Sequence, residues 1–62
     1  MSTDREQLLA SLRTEEARRK REAARFDLTA ARGFPAARGY AAHHRNEARA
    51  LREAIAKLET EE

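Results

Sequence analysis

The sequence predicts an all-α protein: an antiparallel two-helix hairpin of coiled-coil type that is completed by association. Three observations predict it. Ala37, Ala41, His44, Ala48, Leu51, Ile55 and Leu58 follow one another at alternating intervals of four and three residues, the heptad spacing that lays one narrow stripe along a helix for packing against another. The chain's only glycines and proline, Gly33, Pro35 and Gly39, fall within seven residues of one another near the middle of the sequence. And of the 25 hydrophobic residues among 62, 14 are alanine, so large side chains are scarce. A core this thin supplies about 3–5 kcal/mol at best. Cysteine is absent, which removes disulfides, and there is no Cys/His cluster for a structural zinc. The remaining stabiliser is another chain.

Helix 1 is expected over about residues 3 to 32. Thr3-Asp4-Arg5-Glu6 reads as a capping box, in which the Thr hydroxyl accepts from the Glu6 amide and the Glu6 carboxylate reaches back. Leu8, Leu9 and Leu12 form an apolar patch at one end, and Phe26, Leu28, Ala30 and Ala31 another. Between them Arg13 to Glu22 holds Ala17 as its only apolar residue, so this helix should be wet in its middle. An alternative makes Met1 to Leu12 a mobile arm or a separate short helix. A loop over 33–38 follows: Gly33 suits the positive-φ position after a helix end, Pro35 cannot continue the helix, and Gly39 adds a third interruption. Helix 2 is expected over about residues 38 to 60. So short a connection folds the helices back antiparallel, bringing Phe26 and Ala30 near Tyr40, Ala41 and His44, and the leucines of helix 1 near Leu51, Ile55 and Leu58. Glu59, Glu61 and Glu62 oppose the helix macrodipole, so the tail is expected to fray.

Charged residues make up 39% of the chain, but 13 Lys+Arg against 11 Asp+Glu leave a formal net charge of only +2. Such mixing describes solvated helix faces. No apolar run approaches the length of a membrane span, and MSTDREQ has neither the basic start nor the apolar stretch of a signal peptide. A cytoplasmic protein without membrane contact is the expectation. Nucleic acid is an unfavoured partner at so small a net charge. The densest basic cluster, Arg18, Arg19, Lys20 and Arg21 with Arg25, is the candidate anion contact; Glu15 and Glu16 stand four residues before Arg19 and Lys20, however, in the order that favours self-paired intrahelical ion pairs. His43 and His44 diverge by about 100° around a helix and cannot converge on one metal. His44 falls on the seam and is read as a partly buried structural residue or a pH-sensitive contact, His43 as surface or rim. Phe34 and Tyr40 bracket the loop, either as an aromatic plug around Pro35 or as a contact hot spot. No catalytic constellation, cofactor site or metal site is expected, because two helices leave no volume for a pocket.

Ala31-Arg32-Gly33 at the turn, Tyr40 at the start of helix 2, Glu47-Ala48-Arg49-Ala50-Leu51 within it, then Ala54, Ile55 and an acidic tail together resemble the small type III secretion co-chaperones of the YscE and PscE type. The resemblance covers roughly residues 30 to 62. Here the turn lies about two residues farther from the Ala-Leu segment, and helix 1 matches only in general character. What it implies is an antiparallel hairpin that binds a tetratricopeptide-repeat-like chaperone, which in turn holds the needle subunit monomeric. On that implication Phe34, Tyr40, His44, Ala48, Leu51, Ile55 and Leu58 are the expected partner-binding residues; separately, the thin core makes a homodimer the expectation for the chain alone. A second resemblance is to the two-helix, RNA-binding ribosomal proteins of the large subunit, carried by the Gly at the hairpin end, an acidic-x-Arg segment in helix 2 and the basic cluster; the 11 acidic residues depart from it. A self-associating helical assembly protein, of phage or regulatory type, is the third expectation.

Overall fold

The computed structural model describes residues 2–61, with side chains from Asp4 onward. It is an antiparallel hairpin of two helices, α1 (Ser2–Ala31) and α2 (Ala37–Thr60). Helix 1 is continuous from Ser2, so the leucine-bearing segment is neither an arm nor a separate helix. The side chain of Thr3, and with it the capping box, lies outside the described residues, as do Met1 and Glu62. Thirty residues at about 1.5 Å rise make α1 about 45 Å long, and the hairpin is a rod of 50 × 14 × 9 Å. Its radius of gyration is 14.5 Å, against about 10–11 Å for a compact domain of this length.

The seam predicted for α2 forms. Ala37, Ala41, Ala48 and Ile55 are buried, and His44, Leu51 and Leu58 are half-buried. In α1 the stripe is not the one apolar counting suggests. Leu9, Glu16 and Ala23 are buried at seven-residue spacing, and Leu12, Arg19 and Phe26 half-buried at the same spacing, so the heptad runs unbroken through the charged middle with Glu16 and Arg19 on it. Glu16 is 7% exposed; its carboxylate lies 3.2 Å from Lys20 Nζ one turn on and 4.0 Å from Arg52 Nη1 across the seam. Ala17, the apolar residue of that stretch, is exposed.

Two further cross-helix ion pairs, one on either side of Glu16–Arg52, mark one register over about four turns. Arg13 donates to Glu59 at 2.5 Å, and Arg45 donates to Asp27, each pair displaced fourteen residues from the other on both helices. At the open end Arg5 donates through Nε and Nη2 to the carbonyl of Leu58, 2.8 Å from Nε. That carbonyl belongs to the last turn of α2, whose carbonyls lack an intrahelical partner, and a guanidinium there also complements the macrodipole. α2 reaches Thr60, Glu59 is paired, and the Glu61 amide donates to the Lys57 carbonyl at 3.1 Å; the expected fraying includes Glu62, which lies outside the described residues.

At the closed end α1 stops where Gly33 predicts. Gly33 takes φ +116°, its amide donates to Ala30 O at 3.2 Å and the Phe34 amide to Thr29 O at 3.3 Å, the paired bonds of a Schellman termination. Gly39 does not interrupt the chain as expected. It lies in the first turn of α2, which begins at Ala37 without a side-chain cap. The Ala37, Arg38 and Gly39 amides instead donate to the carbonyls of Phe34, Pro35 and Ala36 at 2.9, 3.1 and 3.2 Å, so three-residue turns replace the cap.

Candidate functional site

Two surfaces of the rod offer themselves to a partner. The first is the loop end. Phe26, half-buried on the seam, stacks on Tyr40 with ring centroids 5.3 Å apart and on His44 at 5.5 Å and an interplanar angle of 8°; His43 meets His44 edge-on at 5.5 Å. The aromatic cluster that closes the hairpin is therefore built on Phe26. Phe34 does not plug the turn around Pro35. It stays 65% exposed, as Tyr40 is 61% and Leu28 59% exposed, because the Schellman bond of its own amide turns the chain outward. Large apolar surface thus accumulates at this end, while the buried part of the rod is made chiefly of alanine.

This placement divides the seven expected partner-binding residues. Phe34 and Tyr40 face solvent. Ala48 and Ile55 are buried against α1, and His44, Leu51 and Leu58 are half-buried along the same seam, so in the closed hairpin this stripe is occupied by the chain's own first helix.

His44 has a specific polar contact: its Nδ1 lies 3.0 Å from Arg19 Nη1. A guanidinium only donates, so in this contact Nδ1 is the acceptor. Arg19 also reaches Glu15 at 3.2 Å, which joins the two helices through a chain of carboxylate, guanidinium and imidazole.

Among the described residues the basic cluster is self-paired, apart from Arg21. Arg18 donates to Glu15 at 2.6 and 3.1 Å, Lys20 meets Glu16, and Arg25 lies 3.9 Å from Glu22. Hydrogen bonding from Arg18 holds the Glu15 carboxyl below the usual carboxylate range, and the same bond raises Arg18. Successive residues on a helix point about 100° apart, so this run surrounds α1 and presents no single basic face.

The second surface comes from residues far apart in sequence. Along one side of the rod a shallow open groove of about 480 Å³ has Ala23, Ala24 and Ala48 as its floor. Lys20, Arg45, Arg49 and Arg52 stand along it with only Glu16 and Asp27 as carboxylates. Four cations against two carboxylates give these residues the whole of the chain's formal excess of +2. A periodic signal for this face was present in the sequence: Ala10, Ala17, Ala24 and Ala31 are spaced by sevens, as are Arg38, Arg45 and Arg52.

Among the described residues no group of three or more His, Cys, Asp or Glu side chains could hold a metal ion, and no helix is long and apolar enough to cross a membrane. No protein-family model, curated protein or solved structure matches this chain.

Proposed function

We propose that the hairpin is a non-enzymatic docking module whose loop end is its contact surface, and that it serves as a small co-chaperone stabilising a helical-repeat chaperone of a type III secretion needle subunit. The observation that carries the docking reading is the exposure of Leu28, Phe34 and Tyr40 at one end of a rod in which, among the described residues, no large side chain is fully buried. Each of these groups gains about 1–2 kcal/mol when a partner covers the exposed part of it. The rod also presents 4900 Å² of accessible surface, about a fifth more than a compact monomer of 7.1 kDa exposes. The co-chaperone role rests on the turn and helix 2 residues that resemble the YscE and PscE type, together with the hairpin architecture such a role needs.

The test is a tagged pull-down from native cytosol at moderate salt, with light scattering of the complex, run in parallel on Phe34→Asp. Phe34 makes none of the ring contacts that close the hairpin, so that variant keeps its helical spectrum. The expected outcome is a helical-repeat protein at defined stoichiometry with the parent chain and its loss with the variant. Equal recovery by both would refute the loop end as the contact. Recovery of only the chain itself would favour the self-associating assembly protein, and of only ribosomal material lost at high salt the RNA-bound hairpin. Leu51→Asp and Ile55→Asp are poorer probes, since they place a charge inside the intramolecular seam.

A further inference from the structure

We infer that the groove between α1 and α2 is a second docking site, and that its occupant is an acidic, small-faced helix of a protein partner. This goes beyond the loop-end reading and does not depend on it. The floor decides the shape of the occupant. Ala24 offers an exposed methyl group above Ala23 and Ala48, which are already buried in the seam, and none of the three carries a hydrogen-bonding side chain; alanine allows a facing helix axis to approach to about 8 Å. Ala10 and Ala17 continue this exposed line along α1.

The rim decides its charge. Asp27 is engaged by Arg45, and Glu16 is shared between Lys20 and Arg52. Among the described residues Arg49 has no carboxylate within 4.0 Å. Arg45, Arg49 and Arg52 stand four and three residues apart, so they form one ridge of like charge on α2, an arrangement that weakens a helix in isolation. Carboxylates from outside relieve it. An occupant with Glu or Asp on successive turns meets Arg45, Arg49 and Arg52 together while its small residues lie on the alanine floor. Such pairing sets orientation and partner choice as much as affinity.

The same features argue against the other occupants. A second copy docking face to face would bring this ridge against its own equivalent. A nucleic acid backbone would find the arginines, but no aromatic ring stands among the lining side chains to stack a base, and its phosphates would gain nothing from the alanine floor.

The test uses a fluorescein-labelled synthetic helix of four Glu-Ala-Ala-Leu-Glu-Ala-Ala heptads, a control with Lys for every Glu, and a single-stranded oligouridylate, each titrated by anisotropy into the full chain at low and moderate salt. Saturable binding of the acidic helix is expected, with no binding of the lysine control and about tenfold weaker binding to Arg49→Glu and to Ala24→Trp, which fills the floor. Both substitutions are at exposed positions, and circular dichroism verifies the fold. Phe34→Asp should bind the acidic helix as the parent does, which separates this site from the loop end. The inference is overturned if the acidic helix does not bind, if Arg49→Glu binds it unchanged, if oligouridylate binds more tightly through Arg49, or if sedimentation shows a dimer that Arg49→Glu dissolves.

Discussion

The two glycines of the turn region should respond to alanine with opposite signs, although a new Cβ meets no atom within 4 Å at either position. Space is therefore not what distinguishes them; backbone conformation is. Gly33 sits at φ +116°, where an L side chain costs about 1–2 kcal/mol. Removing glycine freedom from the unfolded chain returns about 0.4–1 kcal/mol. Gly33→Ala should thus destabilise the hairpin by about 1 kcal/mol. Gly39 lies in α2 with helical φ, so the same unfolded-state term acts alone and Gly39→Ala should stabilise by about 0.5–1 kcal/mol. For a domain of this size 1 kcal/mol moves Tm by about 4–8 °C. The assay is thermal and urea unfolding by circular dichroism at two protein concentrations, so that association is separated from folding. Shifts of the same sign, or stabilisation by Gly33→Ala, would refute the left-handed termination of α1 and the helical assignment of Gly39 together.

Acid should weaken the hairpin. Glu15, whose pKa is lowered by the hydrogen bond from Arg18, contributes stability above its unfolded value and loses it as pH falls through the lower folded one, so urea midpoints should fall across the carboxylate range with a step that Glu15→Gln removes; a Glu15→Gln midpoint that keeps the parent's slope there would refute the pairing. Arg5→Ala should cost about 1 kcal/mol, since it removes the donor from the Leu58 carbonyl, and should speed amide exchange in the last turn of α2 relative to its middle. Uniform change along α2 would show that Arg5 acts elsewhere.

The hairpin was legible because α2 keeps its apolar and small residues in heptad register and because Gly33 and Pro35 stand together. Packing of Phe26 near Tyr40 and His44 followed from folding the chain about that turn. Two things were not legible for one physical reason, that sequence adjacency and spatial adjacency differ on a helix. Arg18 to Arg21 look like a basic face when read in order, yet they point in four directions and are largely paired at home. The basic face that does exist draws Lys20 from α1 and Arg45, Arg49 and Arg52 from α2. Gly39 was misread because glycine tolerates a first helical turn as readily as a loop. The seam of α1 was missed because a search for apolar residues passes over Glu16 and Arg19, which occupy seam positions with neighbours able to satisfy them.

That polar stretch in α1 raises the question of what it selects against. It is not needed to fix the register within one chain, because the five residues between Ala31 and Ala37 cannot accommodate a heptad slip of roughly 10 Å. Its discriminating power lies between chains. Two copies of α1 aligned in parallel, in register, would set Glu16 beside Glu16 and Arg19 beside Arg19 in a desolvated seam, whereas the closed hairpin gives Glu16 both Lys20 and Arg52 and gives Arg19 both Glu15 and His44. Buried polar positions in coiled coils set partner and orientation in this way at some expense in stability. Glu16→Leu/Arg19→Leu should therefore raise the urea midpoint, as each leucine buries apolar area worth about 1.5–3 kcal/mol, while the lost contacts, of Glu16 with Lys20 and Arg52 and of Arg19 with Glu15 and His44, are solvent-accessible and contribute about 1 kcal/mol or less each. It should also associate more than the parent at equal concentration, with a Tm that rises with concentration and a larger mass by light scattering. A double variant more stable than the parent yet equal to it in mass at every concentration would show that these two charges cost stability without conferring any choice of partner.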